Sequence, residues 1–161
     1  MNKKRNSHYY QHPQNIHSLY HKAMSPIHWN EDNSVGNSHI DQQHMEWVRI
    51  FNKLEDTLLN SSGPPSSEQV ELLKQILDFT REHFLEEERI MALHGYPNIV
   101  RHRRMHKDFE LQLYEKFRLV IAGELVLHSE LIAMIRHWFI NHTSSEDRRA
   151  FEFIHTTTDH T

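Results

Sequence analysis

Residues 72–90 read LLKQILDFTREHFLEEERI, with apolar side chains recurring every three or four positions. Six residues at this spacing share one helix face: Leu72, Ile76, Phe79, His83, Glu87 and Ile90. This period is typical of an amphipathic helix that buries one face in a core. His83 and Glu87 are polar and ionisable, although they stand where a packed helix carries apolar residues. The stretch therefore predicts a core-facing helix with a polar interruption.

Three further segments repeat the same period. Their stripes comprise Ile40, His44, Trp47, Phe51, Leu54 and Leu58 in the first, His102, His106, Phe109, Leu113, Phe117 and Val120 in the third, and Leu131, Ile135, Trp138 and His142 in the fourth. Turn-forming residues separate the segments, at SSGPPSS (61–67), at GYP (95–97) and at Gly123. Ser66 and Gln69 have the spacing of a capping box at the start of the second helix.

Helical signals dominate the chain, and strand signals are absent from the sequence. There is neither a sustained alternation of apolar and polar residues nor an Asn-Gly or Asp-Gly hairpin turn. Four amphipathic helices joined by short connections favour an antiparallel up-down-up-down bundle. We therefore predict an all-α four-helix bundle.

The chain of 161 residues has the length of one domain. Residues 1–23 are rich in His, Asn, Gln and Tyr and lack apolar periodicity, so they predict a flexible polar extension. The bundle domain is predicted to occupy residues 24–161.

Composition excludes several classes of protein. No run of eighteen apolar residues occurs, so a transmembrane helix is not expected. The N-terminal basic residues are not followed by an apolar stretch, so we expect a cytoplasmic protein without a signal peptide. A formal net charge of −4 argues against a dedicated nucleic-acid binder. The absence of cysteine excludes disulfides and thiolate ligands.

Polar residues interrupt all four predicted stripes. The six interruptions are His44, His83, Glu87, His102, His106 and His142. Each unpaired buried polar group costs about 1–3 kcal/mol, so six of them require compensation. Coordination of a metal ion by nitrogen and oxygen ligands supplies such compensation, and bundle cores commonly hold such sites. The chain contains 16 histidines, so H-x-x-x-H spacing alone is weak support.

The depth of these residues along the bundle is stronger support. His44 lies about sixteen residues before the predicted end of its helix, a rise of about 24 Å. The second helix returns over fifteen residues from Glu68 to His83. Counting residues from His106 and from His142 to the turn at Gly123 places these two histidines at the same height along the bundle as His44 and His83. The sequence therefore predicts one transverse layer of ligands.

A further carboxylate ligand is expected near His142, and geometry leaves its identity open. Glu146 stands four residues after His142, and Asp147 stands five residues after it. A regular α-helix favours Glu146, because five steps rotate Asp147 away from the His142 face. Both candidates remain at this point.

The chain resembles the hemerythrins, in particular the single-domain bacterial ones, from Trp29 to about Phe151. The resemblance rests on VG (35–36) with IDQQH (40–44), HFLEEERIM (83–91), YP (96–97) with H-x-x-x-H (102–106), and WFINHTSSED (138–147). These elements occur in the family's order and at its separations, so together they are specific.

This resemblance implies a non-haem di-iron centre: two iron ions joined by an oxo or hydroxo bridge. By the resemblance, one iron would be held by His102, His106 and His142, the other by His44 and His83, and the two would be bridged by Glu87 and Asp147. The second iron would keep one open position. The family pattern thus selects Asp147 over Glu146, which implies a distorted helix around residues 143–146.

The activity implied by the resemblance is reversible binding of O2 by a carrier, store or sensor rather than an enzyme, with azide or nitric oxide as other possible ligands. The ligand pocket would include Trp138, Phe139 and Thr143. The family usually has leucine where this chain has Phe139, and isoleucine where it has Thr143. The sequence does not identify a protein partner.

Two alternatives to an O2-binding protein remain open. The same ligands could serve a di-iron enzyme that reduces O2, peroxide or nitric oxide. Apart from Thr143 and tyrosine residues whose position the sequence does not give, there is no obvious general acid at the pocket, which weakens this alternative. The chain could instead be an interaction bundle that its metal only stabilises.

Overall fold

The computed structural model of the chain describes residues 25–59, 63–125, 127 and 129–158. The extension predicted over residues 1–23 lies outside these ranges, so the proposed domain boundary stays a prediction. Within the described ranges the chain forms helices and turns, with no strand. None of these helices is long and apolar enough to cross a membrane.

Four helical segments make up the described structure. The α-helices are α1 (Ser38–Leu59), α2 (Ser67–Leu93), α3 (Ile99–Ile121), α4 (Ser129–Asn141) and α5 (Arg148–Thr158). A six-residue π-helix, His142–Asp147, joins α4 to α5 without a break, so these two helices form the fourth segment. A short 3-10 helix, Glu31–Asn33, precedes α1. The predicted all-helical architecture with four segments is confirmed.

Both ends of α2 are defined by local hydrogen bonds. Ser66 Oγ accepts a hydrogen bond from the backbone N–H of Gln69, and Gln69 Oε1 accepts one from the backbone N–H of Ser66. This confirms the predicted capping box, which satisfies two otherwise free helix donors. At the other end, Gly95 adopts φ +66°, and Tyr96 N–H donates to the carbonyl of Met91. These ends set the length of α2 and so the depth of its polar residues.

Two apolar clusters lie on either side of a polar layer. The larger contains the fully buried Phe51, Leu54, Leu73, Ile76, Leu113 and Ile135. The smaller contains Ile40, Met91, Tyr96, Ala150 and Phe151. His44 follows Ile40 of the small cluster and precedes Trp47 of the large one in α1. The histidine layer therefore lies between two apolar clusters along the bundle.

The segment that precedes α1 is held against the bundle. The Asn52 side chain accepts from the backbone N–H of Ile27 and donates to its carbonyl, both at 2.9 Å. In the same region Arg136 Nη2 lies 2.6 Å from Glu55 Oε1, in a largely buried ion pair. These contacts place Trp29 beside the polar layer, with its ring centroid 5.4 Å from that of His44.

Replacing Leu54 by alanine should destabilise the fold strongly. Leu54 is 0% exposed in the large cluster, and truncating such a side chain leaves a cavity that costs about 2–5 kcal/mol. Urea unfolding of chelator-treated protein measures this loss. Leu85→Ala is the control, because Leu85 is 70% exposed and should change stability by less than about 0.5 kcal/mol. Similar losses for the two variants would contradict this description of the core.

Candidate metal centre

The structure brings all seven predicted ligand side chains together in the polar layer. Every one is buried: His44, His83, Glu87, His102, His106, His142 and Asp147. They fall into two overlapping groups whose candidate ligand atoms lie within 4.8 Å of one another. The three-histidine group is Glu87, His102, His106, His142 and Asp147, and the two-histidine group is His44, His83, Glu87 and Asp147. The two carboxylates belong to both groups.

Three imidazoles converge in the three-histidine group. The Nε2 atoms of His102 and His106 lie 3.0 Å apart, and those of His106 and His142 lie 2.9 Å apart. The third side of this triangle, between His142 and His102, measures 3.2 Å. Three imidazole nitrogens of this kind, facing one point, are a donor set that suits a transition metal.

The two carboxylates lie between the groups. Asp147 Oδ1 is 2.9 Å from Nε2 of His142, whereas Oδ2 is 3.5 Å from Nε2 of His44. Glu87 Oε2 lies 3.3 Å from Nε2 of His106, and Oε1 has no hydrogen-bond partner among the described residues. Each carboxylate thus presents one oxygen to the three-histidine group, and its other oxygen is available to bind a second cation.

Many polar atoms of this layer have no hydrogen-bond partner within the described part of the chain. They are His44 Nδ1 and Nε2, Glu87 Oε1, the Nδ1 atoms of His102 and His142, and both carboxylate oxygens of Asp147. Native proteins leave few buried polar atoms unsatisfied, because each costs about 1–3 kcal/mol. Coordination of cations would satisfy the carboxylate oxygens and the free Nε2 nitrogen.

Electrostatics favour a positive charge in the three-histidine group. Burial and the nearby Asp147 raise the pKa of Glu87, but hydrogen bonds with His102 and His106 outweigh them and bring it to about 2. Burial lowers the pKa of His102, but Asp147 and Glu87 outweigh it and raise the pKa to about 9. In the metal-free protein a proton on His102 therefore offsets part of the negative charge of the two carboxylates. A metal ion would have to displace it, so uptake should release protons.

Aromatic rings enclose the two-histidine group. Burial, and then the neighbouring His44, lower the pKa of His83 to about 3, so this imidazole stays neutral at physiological pH. The Phe139 ring meets His44 edge-on at 5.8 Å and stacks on Trp47 at 3.8 Å. The Trp29 ring also lies against His44, with centroids 5.4 Å apart, so aromatic side chains form much of the surroundings of this imidazole.

The three predicted pocket residues occupy different sides of the layer. Phe139 lies against His44 of the two-histidine group, as described above. Trp138 instead stacks on His142 of the three-histidine group, with ring centroids 4.3 Å apart, and on Phe109. Thr143 is buried within the π-helix. Phe139 therefore contacts the side where an open position is expected, and Trp138 packs behind the other side.

The π-helix explains how Asp147 reaches the layer. In a π-helix the hydrogen bonds join residues five apart, so His142 and Asp147 share a face that they would not share in an α-helix. Glu146 points elsewhere: its carboxylate pairs with Arg101 at 2.8 Å and with Arg149 at 3.1 Å. The distorted helix expected around residues 143–146 is therefore present.

Two polar residues behind the layer were not identified from the sequence. Gln43 Oε1 lies 2.9 Å from Nδ1 of His83, and Glu88 Oε1 lies 2.9 Å from Nδ1 of His106. Each stands next to a predicted ligand in the chain, but adjacency alone does not show which histidine it contacts. In both cases the partner lies on another helix.

Helical segments around a buried cluster of imidazoles and carboxylates define a helical protein with an internal metal-binding site. The sequence profile of the hemerythrin HHE cation binding domain matches residues 35–154, about three quarters of the chain. The chain belongs to the hemerythrin family.

Known proteins of this family are similar along most of their length. A bacteriohemerythrin of Stenotrophomonas maltophilia is 29% identical over 125 residues, which cover 78% of this chain and 79% of the relative. A bacteriohemerythrin of Pseudomonas aeruginosa is 30% identical over 124 residues, covering 77% and 78%. A crystal structure of wild-type hemerythrin superposes with a TM-score of 0.75 at 23% identity, covering 81% of this chain and 98% of that one. This last similarity shows a shared fold.

Replacing His44 by leucine should stabilise the metal-free protein, the reverse of an ordinary core substitution. His44 is 0% exposed with both ring nitrogens unpaired, so an apolar side chain of similar volume removes a desolvation penalty of about 1 kcal/mol or more. Urea unfolding in the presence of a chelator measures the gain. The exposed His137 provides the control, since His137→Leu should change little. A less stable His44→Leu protein would show that the buried imidazole of His44 does not destabilise the metal-free fold.

Proposed function

We propose that the protein binds O2 reversibly at a non-haem di-iron site, as a carrier, store or sensor rather than as an enzyme. The observation that carries this proposal is the position of Asp147, whose two carboxylate oxygens face different histidine groups. A carboxylate so placed can bridge two neighbouring cations.

In this proposal each histidine group holds one iron. One iron would be held by His102, His106 and His142 and the other by His44 and His83, and Glu87 and Asp147 would be shared between the two. The three-histidine group would supply one more protein ligand than the two-histidine group. The two-histidine group, which supplies fewer protein ligands, is where O2, azide or nitric oxide would bind.

The donor set suits reversible binding. A pair of ferrous ions can supply two electrons to O2 and recover them when it leaves. Five neutral imidazoles and only two carboxylates make such a pair less electron-rich than one held by four carboxylates, which disfavours cleavage of the O–O bond. The aromatic surround of His44 contributes by limiting the access of water.

The proposal includes an antiparallel up-down-up-down order of the four helical segments. Helix α2 packs against both α1 and α3, its neighbours along the chain, and the connections between them are short. Such connections favour antiparallel neighbours. This arrangement returns the chain to the same layer in each segment.

Iron reconstitution under argon, followed by exposure to O2, tests the function. The wild type should bind two iron ions per chain and develop a visible absorption band that disappears when O2 is removed. Asp147→Asn should bind less iron, because a bridging oxygen loses its charge. Glu146→Gln is the matched control and should keep both ions, since Glu146 pairs with arginines at the surface.

Other outcomes of this experiment would replace the proposal. Sustained consumption of O2, peroxide or nitric oxide with a reductant would identify an enzyme. Retention of iron without any response to O2 or azide would identify a metal-stabilised interaction bundle. Full iron in Asp147→Asn with loss in Glu146→Gln would reverse the ligand assignment.

Phe139 and Thr143 should set the rate at which the oxygenated protein autoxidises. Phe139→Leu removes the ring that lies edge-on to His44 and should admit water, which speeds autoxidation. Thr143→Ile removes a buried hydroxyl and should slow it. We expect changes of roughly threefold to tenfold, where tenfold equals about 1.4 kcal/mol in barrier height. Decay of the visible band in air measures the rates.

Phe117→Leu makes the same chemical change among residues packed against the large cluster, away from the metal centre, and serves as the control. It should leave the rate of autoxidation unchanged. Unchanged rates for both Phe139→Leu and Thr143→Ile would show that neither residue controls access to the site.

A further inference from the structure

Two of the five layer histidines are hydrogen-bonded through Nδ1, and their partners differ in charge. His106 meets the carboxylate of Glu88, and His83 meets the amide of Gln43, each at 2.9 Å. The Nδ1 atoms of His44, His102 and His142 have no hydrogen-bond partner among the described residues. Each histidine group therefore has one supported imidazole, with a charged partner in one group and a neutral partner in the other.

Two neighbouring side chains support the contact between Glu88 and His106. Glu88 Oε1 faces His106, and Oε2 lies 3.2 Å from Nε of Arg103, so the arginine orients the carboxylate. The ring of Phe84 stacks on the imidazole of His106 with centroids 3.7 Å apart and an interplanar angle of 2°. The orientation of His106 is thus set before any metal binds.

A carboxylate and an amide constrain an imidazole differently. A carboxylate only accepts hydrogen bonds, so the contact with Glu88 holds a proton on Nδ1 of His106, and Nε2 is then the nitrogen that can give up its proton and bind a metal. An amide can present either oxygen or nitrogen, so Gln43 enforces this tautomer of His83 less strictly. The carboxylate also draws the shared proton towards itself, which makes the imidazole more basic and therefore a stronger metal ligand.

We propose that Glu88 is a positioning residue that strengthens metal binding by the three-histidine group, and that the contrast with Gln43 helps this group to fill first. The inference rests on the metal-binding part of the proposed function. Partners of this kind typically change metal affinity by about 10–100-fold.

The chain supplies a matched control for Glu88. Glu110 stands four residues after His106, a spacing that by sequence could pair the two. In the structure it binds Arg81 at 3.0 Å and Lys107 at 3.5 Å, and it lines the same surface groove as Glu88. Glu110→Gln therefore removes the same charge from the same groove without touching a layer histidine.

Titration of the metal-free protein with zinc, in competition with a chelator, tests the proposal without any oxygen chemistry. The wild type should bind two zinc ions in two steps. Glu88→Gln should weaken the first step by about 10–100-fold, and Glu110→Gln should change it less than threefold. Gln43→Glu, which supplies a carboxylate to His83, should tighten the second step by about tenfold.

The tautomer of His106 gives an independent readout. In the zinc-loaded wild type, nitrogen-15 NMR should show the proton on Nδ1 with a strongly downfield shift, because the bond to Glu88 is charge-assisted. In Glu88→Gln the shift should move upfield, whereas in Glu110→Gln it should stay. A purely structural role for Glu88 would not move this signal selectively.

Several results would overturn the inference. They are an effect of Glu88→Gln no larger than that of Glu110→Gln, an unchanged second step in Gln43→Glu, or an unshifted His106 proton. If Glu88→Gln does not fold, Gln43→Glu still tests whether a carboxylate partner on Nδ1 strengthens metal binding, because it adds a charge beside His83 and leaves Glu88 in place. A wild type that binds fewer than two zinc ions would overturn the proposed function together with this inference, whereas two bound ions with indistinguishable variants would overturn the inference alone.

Discussion

Burial of two carboxylates among five imidazoles is the interaction on which the rest of this structure depends. Glu87 and Asp147 are 0% exposed, and among the described residues the positive charge that faces them in the metal-free protein is a proton on the histidines. A buried anion is costly unless it is paired. The layer therefore favours cations in a part of the molecule that would otherwise hold a continuous apolar core, so its composition serves binding at the expense of stability.

The apolar clusters on both sides of the layer compensate for this loss of stability. Among the described residues, the large cluster and the small cluster together contain the buried hydrophobic side chains, and they hold the four helical segments in place around the layer. Packing also orients individual ligands: Phe84 stacks on His106, Trp138 stacks on His142, and Phe139 meets His44. The same side chains thus stabilise the fold and preorganise the site.

The layer itself could be predicted, because it depends on helical periodicity. The interruptions at His44, His83 and Glu87 stand out from their stripes, and counting residues to each turn places them at one depth. The choice between Glu146 and Asp147 could not be made by counting, since it depends on a π-helix that a regular 3.6-residue period does not represent. It was the resemblance to the hemerythrins that indicated Asp147.

Residue order along the chain was enough to establish the helices, the capping box of α2, the depth of each histidine and the family, because all of these follow from local spacing and motif order. Contacts between helices decided which side chains support each ligand. Sequence spacing offers Glu110 as a partner for His106, yet the structure places Glu88 of α2 there and pairs Glu110 with Arg81. Such choices depend on how side chains of different helices meet, and no pattern within one helix contains that information.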